Sequence, residues 1–151
     1  MTTHAQHPQQ NLHLGLLFHL TNQFKDQLIT QYFSGAGITA PQFKVLINIY
    51  KGNIRPADIC KNLQMDTGAM SRMIERMVKS GLVDRHRNEQ DKRQVILALT
   101  EKGQALCHTF QNEALSTILA ELTARLTPEE SRQLRALLIK ILPDEFTAPH
   151  R

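Results

Sequence analysis

Two short helical segments joined by a three-residue turn constrain the fold of this chain more than any other feature of its sequence. The first spans residues 56–63 and starts with a proline, which is favoured at the first helical position. After the turn at residues 64–66, Asp66 is a candidate N-cap for a second helix over residues 67–79, and Gly81 ends that helix. Two helices of this size joined by so short a turn predict a helix-turn-helix.

A β-hairpin is predicted directly after this pair of helices. Residues 82–85 form one short strand, and the apolar side chains at 95, 97 and 99 recur at every second position, as in a half-buried strand. The connection between the two strands contains the polar stretch NEQDKR, residues 88–93. A hairpin in this position is the wing of a winged helix.

Longer helices are predicted on both sides of this unit. Residues 11–33 carry apolar side chains at the i, i+3, i+4 spacing of one helical face. Three further helix starts are marked by capping residues, two of them as capping boxes with a proline in the first turn. These starts are Thr39–Gln42, Thr100 and Thr127–Glu130. The sequence therefore predicts a mainly α fold with a small β-hairpin.

The positive charge of the chain is concentrated around the second helix of the pair and the hairpin. The chain has 41% apolar and 21% charged residues and a net charge of +4, which is typical of a globular protein. Seven of its eighteen lysines and arginines lie between Arg72 and Arg93, in about a seventh of its length. This distribution favours a polyanionic partner more than the modest net charge does.

The predicted helix over residues 67–79 separates into two faces at 100° per residue. Its methionines and Ile74 fall on one side. The opposite side carries Gly68, Arg72, Arg76 and Lys79, flanked by Ala69, Ser71 and Glu75. Any solvated helix can present a charged face. A helix that enters the major groove of DNA, however, needs short side chains near its start and arginines further along, and this helix has both.

Asp91 and Arg93 mark the tip of the hairpin. A carboxylate at this position can accept hydrogen bonds from turn amides or hold the arginine in one orientation. A guanidinium at the tip suits a narrow minor groove, where the negative potential is enhanced. The alternative is a charged turn that serves only solubility.

Several stretches of the chain together resemble the multiple-antibiotic-resistance regulator (MarR) family. DKRQVILALT, residues 91–100, is similar to the D-x-R…L-x-L-T signature of that family. Residues 71–77 and 79–85 resemble its recognition helix running into a G-L-[VI]-x-R strand. Residues 38–43 and 100–103 are similar to its second-helix entry and wing exit. The resemblance covers roughly residues 11–142.

This resemblance implies a homodimeric winged-helix transcription factor, a repressor that binds a palindromic operator in double-stranded DNA. By this match Arg93 would enter the minor groove with Asp91 steadying it, and Arg85 would contact the backbone. Gly68 departs from the pattern, because many members carry a serine or threonine there that contacts DNA. The expected DNA-contacting residues are Gly68, Ala69, Ser71, Arg72, Arg76, Lys79, Arg85, Arg87, Asp91, Lys92 and Arg93.

The terminal helices are longer and more apolar than a winged helix needs, so we expect them to interlock between two subunits. The alternative is that they complete the core of a single chain. The side chains expected at the subunit interface are Leu14, Leu17, Leu28, Leu134, Leu138 and Ile141. The predicted organisation is a disordered tail (1–10), an N-terminal dimerisation helix (11–37), a winged helix-turn-helix lobe (38–100), C-terminal dimerisation helices (101–142) and a tail (143–151).

The family resemblance also implies release from DNA by a small phenolic or carboxylate effector, bound between the helical bundle and the DNA-binding lobe. Four polar-tipped residues are candidates for such a pocket, although a surface or core role is the more common one for residues of this kind. They are His13, His19, Lys44 and Tyr50. We expect no cofactor and no metal, because the spacing of Cys60 and Cys107 does not match a metal-binding motif. We expect both cysteines to be small buried apolar residues.

Other function classes find little support in the sequence. No nucleophile elbow, phosphate loop or H-E-x-x-H motif occurs, so we do not expect an enzyme. The polar N-terminus lacks the features of a secretory signal, no apolar run is long enough to span a bilayer, and we expect a cytoplasmic protein. A winged-helix module that binds protein rather than DNA is the alternative, but it leaves the charge of residues 72–93 unexplained.

Overall fold

A computed structural model of the chain describes residues 12–148. The tail predicted over residues 1–10 lies outside the described residues. The elements, in chain order, are α1 (Leu14–Tyr32), a 3₁₀ turn (Ser34–Ala36), α2 (Ala40–Tyr50), α3 (Pro56–Leu63), α4 (Thr67–Lys79), β1 (Val83–Arg87), β2 (Val95–Leu99), α5 (Glu101–Thr109), a π-helical segment (Phe110–Ala114), α6 (Leu115–Leu122), α7 (Pro128–Ile141) and α8 (Asp144–Thr147). The predicted fold class, a mainly helical winged helix-turn-helix, is confirmed.

Two segments differ from the sequence-based expectation. The single helix expected between Thr100 and Leu122 is divided by the π-helical segment Phe110–Ala114. The helix continues on either side of this segment, so the difference is one of backbone hydrogen-bond register. Beyond Pro143, where a tail was expected, residues Asp144–Thr147 form one helical turn.

Local hydrogen bonds define the helix-turn-helix. α3 ends at Leu63, and its C-cap residue Gln64 adopts the left-handed conformation with φ of 52°. The Cys60 thiol donates to the carbonyl oxygen of Met65 at 2.9 Å. The Asp66 carboxylate accepts from the backbone amide of Ala69 at 3.0 Å and thereby caps α4, as predicted. The turn between the helices is therefore fixed at both ends.

The two strands pair antiparallel in a register that places Arg85 opposite Leu97. Thr100 anchors the base of this hairpin to α5: its hydroxyl donates to the carbonyl oxygen of Gly81 at 2.6 Å and accepts from the amide of Gly103 at 3.1 Å. A Cβ at Gly103 would collide with the carbonyl oxygen of Leu82, so the close approach of α5 to the hairpin requires glycine at this position.

The core lies between α2, α3, α4, β2 and the helices that flank them. Its most completely buried side chains are Leu46, Ile59, Met77, Leu97, Val45, Val83 and Cys107. Burial raises the pKa of the Cys107 thiol to about 11, so this thiol is protonated at neutral pH. Both cysteines are buried, as the sequence predicted.

An aromatic cluster joins the lobe to the flanking helices. The ring of Phe43 in α2 stacks on Phe33, at the end of α1, with centroids 4.8 Å apart. The same ring lies 4.3 Å from Phe110, the first residue of the π-helical segment. The three rings therefore connect α1, α2 and the start of the C-terminal helices.

The terminal helices leave most of their apolar side chains uncovered. No residue of α7 is buried, and only Leu28 and Ile29 of α1 are. Of the side chains expected at a subunit interface, Leu14, Leu17, Leu134 and Ile141 are 40% exposed or more, and Leu138 is partly exposed. Leu28 is a correction, because it is only 7% exposed and already belongs to the core of its own chain.

The capping box at the start of α7 generates a testable prediction. Thr127 Oγ1 accepts from the amide of Glu130 at 3.1 Å, and a Glu130 carboxylate oxygen accepts from the amide of Thr127 at 2.9 Å. Hydrogen bonds to Thr127 hold the pKa of Glu130 below its ordinary value, and the bond from the backbone amide has a larger effect than the bond from the side chain. The charged Glu130 carboxylate therefore stabilises the folded state. Because the pKa of Glu130 is lower in the folded than in the unfolded chain, this contribution is present above the unfolded pKa and is lost as the pH falls through the folded pKa.

We expect Thr127→Ala to lower the free energy of unfolding by about 1 kcal/mol through loss of the cap. The pKa of Glu130 should rise but stay below its ordinary value, because the backbone amide of residue 127 still donates. Carbon-detected NMR titration and thermal unfolding measure the two effects. An unchanged Glu130 pKa would contradict this account.

Candidate nucleic-acid interface

α4 presents its two faces as the helical wheel predicted. Met70, Ile74 and Met77 are buried at 2%, 4% and 0% exposure, and Met73 is partly buried. The residues of the opposite face that carry charged or hydroxyl groups are all exposed: Ser71, Arg72, Arg76 and Lys79. Because the inner face is anchored in the core, the basic face must point to solvent.

The cations of this surface are largely free of carboxylate partners. Lys79 lies 3.8 Å from Glu75, one helical turn earlier, and both side chains are well exposed. Among residues 12–148, no carboxylate lies within salt-bridge distance of Arg72, Arg76 or the basic residues of the hairpin. An exposed pair such as Glu75–Lys79 contributes little to stability. The surface therefore carries a net positive charge available to an external anion.

The hairpin tip is organised by side-chain-to-backbone hydrogen bonds. Asp91 Oδ1 accepts from the backbone amide of Arg93 at 3.1 Å, and the carbonyl oxygen of Asp91 accepts from the amide of Gln94 at 3.0 Å. Asn88 makes a similar contact with the amide of Gln90, at 3.0 Å. Of the two roles considered for Asp91, the structure therefore contains the bond to a turn amide. The Arg93 side chain is exposed at this tip.

Arg85 differs from the other basic residues of the hairpin. Its cross-strand partner Leu97 is buried, so both side chains leave the sheet on the face that packs against α3 and α4. Arg85 lines a cavity of about 370 Å³ between these helices and the hairpin. The other lining residues are Pro56, Ala57, Cys60, Thr67, Met70, Ser71, Ile74 and Val95. The cavity is mostly apolar, with Arg85 as its one charged lining residue.

The four residues considered for an effector pocket have separate environments. His13 caps α1, its Nδ1 accepting from the amide of Leu16 at 3.1 Å, and His19 is exposed further along the same helix. Lys44 donates to Asp26 at 2.8 Å, and the Tyr50 ring lies 6.2 Å from His108. None of the four lines the cavity beside Arg85.

The hairpin is held to the rest of the lobe by contacts that no sequence pattern indicated. The amide of Leu97 in β2 donates to the carbonyl oxygen of Ile54 at 2.8 Å, and Ile54 lies in the loop before α3. Val95, the first residue of β2, lines the same cavity as Thr67 and Ser71 from the start of α4. The hairpin and the first turns of α4 are therefore adjacent parts of one surface.

Residues 12–148 offer neither a metal site nor a membrane span. These residues contain no group of three or more histidines, cysteines, aspartates or glutamates that could hold a metal ion. No helix among them is long and apolar enough to cross a membrane.

Comparison with known proteins identifies the family. The MarR family profile matches residues 38–95. The multiple antibiotic resistance protein MarR of Escherichia coli K12 is 43% identical over 131 residues, which cover 86% of this chain and 91% of that protein. The crystal structure of the reduced form of E. coli MarR superposes with a TM-score of 0.83 at 41% identity and covers 87% of this chain and 98% of that one.

A second solved structure contains nucleic acid. A mutant of E. coli MarR complexed with operator DNA superposes with a TM-score of 0.74 at 43% identity, covering 86% of this chain and 94% of that one. The matches extend through the winged helix into the terminal helices, since they cover far more of the chain than residues 38–95. On this evidence the chain belongs to the MarR family.

Proposed function

We propose that this chain is a sequence-specific regulator of transcription, a repressor that binds double-stranded DNA as a homodimer in the cytoplasm. The observation that carries the proposal is the basic surface formed by the outer face of α4 and the adjacent hairpin, whose arginines have no carboxylate partner among residues 12–148. The complex of a similar MarR protein with operator DNA supports it. The function proposed is one of binding and release, without a catalytic step.

The chemistry of this surface matches the two grooves of DNA. The first turns of α4 carry Gly68, Ala69 and Ser71, which let the helix approach base edges closely, and Arg72 and Arg76 reach guanines or phosphates. Arg87 and Lys92 add phosphate contacts in the hairpin, and Lys79 adds one at the end of α4. Arg93, at the tip organised by Asp91, is assigned to the minor groove.

Removing Arg93 tests this assignment. We expect Arg93→Ala to weaken binding to the preferred operator by about 1–3 kcal/mol and to reduce the preference for A·T-rich flanks, because a narrow minor groove attracts a guanidinium. Anisotropy titrations on one duplex at several salt concentrations measure this effect. Arg125→Ala, which removes an exposed arginine from the loop between α6 and α7, is the control and should bind like the parent.

The opposite result would favour a different function. If folded Arg93→Ala and the parent bound every duplex equally weakly and without salt dependence, the hairpin would be an ordinary solvated turn. The winged helix would then be a module for binding protein.

The dimer is proposed from the uncovered terminal helices. A 14-residue helix with no buried residue gains little from packing in its own chain, yet most helical stability in proteins comes from packing. A second copy that covers Leu14, Leu17, Leu134, Leu138 and Ile141 would supply it. Two α4 helices related by a two-fold axis would then read an inverted repeat with half-site centres about 10 base pairs apart.

A charge placed on the terminal helices tests the dimer. Ile141 is 59% exposed in the single chain, so Ile141→Asp should leave that chain folded but should shift the protein from dimer to monomer in sedimentation. Ile54→Asp, on a similarly apolar residue of the DNA-binding lobe that is 39% exposed, should remain dimeric. A parent protein that sediments as a monomer and still binds the operator tightly would contradict the proposal.

The cavity beside Arg85 supports a response to a small effector. Its apolar lining accommodates a ring, Arg85 offers a cation to a carboxylate, and its volume of about 370 Å³ suits a small molecule. Ser71 and Arg85 line the cavity and also belong to the proposed DNA surface, so an occupant would compete with DNA. We therefore assign an aromatic carboxylate effector to this cavity and not to the surroundings of His13, His19, Lys44 and Tyr50.

Calorimetry with benzoate in the absence of DNA tests the effector site. Arg85→Gln should weaken benzoate binding roughly tenfold, because the charge-assisted hydrogen bond to the carboxylate is lost. Arg87→Gln changes a neighbouring arginine of β1 that does not line this cavity, and it should bind benzoate like the parent. Equal affinity in all three proteins would place the carboxylate elsewhere.

A further inference from the structure

Gly68, the second residue of α4, occupies a position where its lack of a side chain needs an explanation. Glycine weakens a helix more than any residue except proline. Gly68 does not adopt a positive φ, so the backbone conformation does not require glycine here, as it does at Gly81 with φ of 74°. The residue is partly buried although it lies on the proposed DNA-binding face. A side chain at this position would, however, occupy space close to its neighbours.

Two groups border that space. A Cβ added to Gly68 would lie 3.1 Å from Asp66 Oδ2 and 3.4 Å from Arg72 Nη1. Asp66 Oδ2 is the atom that accepts from the Ala69 amide and caps the helix. The Arg72 guanidinium, one helical turn further along, therefore extends back over the bare backbone of Gly68 towards the helix start.

The guanidinium of Arg72 therefore lies near the N-terminal end of α4, which is the end proposed to enter the major groove. Arg72 is exposed, and the carboxylate of Asp66 lies on the other side of Gly68, so it attracts the guanidinium towards the first turn. The two side chains are not within salt-bridge distance in the described residues. The donors of Arg72 consequently remain available for a base edge.

We propose that Gly68 determines DNA specificity through Arg72: its bare backbone leaves the Asp66 carboxylate in place to attract the guanidinium over the first turn of α4, where Arg72 reads a guanine in the major groove. Guanine is the base concerned, because its O6 and N7 acceptors match two donors of an arginine. Gly68 is thus a positioning residue, and Arg72 makes the contact. The proposal rests on the DNA-binding function proposed above.

A double-mutant cycle tests the coupling between the two residues. The parent, Gly68→Ala, Arg72→Ala and the double variant are each titrated on the preferred operator and on duplexes with the candidate guanine replaced. Gly68→Ala should lose roughly tenfold in affinity for the preferred operator and most of its discrimination for guanine, because the new methyl would crowd Asp66 Oδ2 and shift the charge that attracts the Arg72 guanidinium. In the Arg72→Ala background, the same substitution should change affinity by less than about twofold.

Gly15→Ala is the matched control for the glycine substitution. Gly15 is the second residue of α1, and a Cβ there would lie 3.3 Å from Nδ1 of His13, the residue that caps that helix. The substitution therefore crowds the N-cap residue of a helix, as Gly68→Ala does, but outside the basic surface. It should leave DNA affinity and guanine discrimination as in the parent.

Asp66→Asn provides an independent arm if Gly68→Ala fails to fold. Asparagine caps helices about as well as aspartate, so the helix start is retained while the charge that attracts Arg72 is removed. Binding to random duplex should strengthen, because a negative charge near the phosphates is lost, whereas discrimination for guanine should fall.

Three results would overturn the proposal. The first is a folded Gly68→Ala that discriminates like the parent, and the second is a loss that persists in full in the Arg72→Ala background, which would mean that the methyl obstructs DNA directly. Unchanged guanine discrimination in Asp66→Asn would also count against it. A parent protein that binds no DNA, in contrast, would overturn the proposed function itself.

Discussion

The burial of one face of α4 fixes the remainder of the proposed interface. Met70, Ile74 and Met77 are almost completely buried, and each side chain of this size contributes about 1.5–3 kcal/mol when removed from water. Turning α4 by half a revolution would expose these three side chains and bury the guanidiniums of Arg72 and Arg76 without a carboxylate partner, which is far more costly. The hydrophobic core therefore determines which residues of α4 face an external partner.

The hairpin depends on the same core through different contacts. Leu97 is buried, its amide is bonded to Ile54, and Thr100 links the base of the hairpin to both Gly81 and α5. The strands are thereby fixed at their base, while turn hydrogen bonds of Asn88 and Asp91 organise the tip at residues 88–93. A base fixed to the core and a separately organised tip are suited to presenting the exposed Arg93 to a partner.

The sequence predicted those features that depend on local chemistry. The capping box at Thr39, the N-cap at Asp66 and the capping box at Thr127 all formed as expected, because a cap involves residues only three positions apart. The two faces of α4 were also predictable, since helical periodicity alone separates its methionines from its arginines.

Features that depend on contacts between distant residues were not predictable in this way. Leu28 and Leu17 have the same apolar character on the same helix, yet Leu28 is buried in its own chain and Leu17 is exposed. The Asp26–Lys44 ion pair joins residues eighteen positions apart, so the sequence did not show that Lys44 already has Asp26 as its partner. The cavity beside Arg85 is lined by residues of α3, α4 and both strands. The periodicity of single helices and strands cannot predict a cavity that depends on how four elements pack together. The π-helical segment has no sequence signal that we can identify.

The most direct test of the central claim, that the outer face of α4 and the hairpin form one DNA-binding surface, is the salt dependence of binding to an inverted repeat selected from a random library. Each phosphate contact contributes about 0.9 to the magnitude of the slope of log K against log salt concentration. The account predicts a slope of several units on the selected repeat, with clearly weaker binding to a scrambled duplex. A slope near zero, or equal affinity for both duplexes, would contradict it.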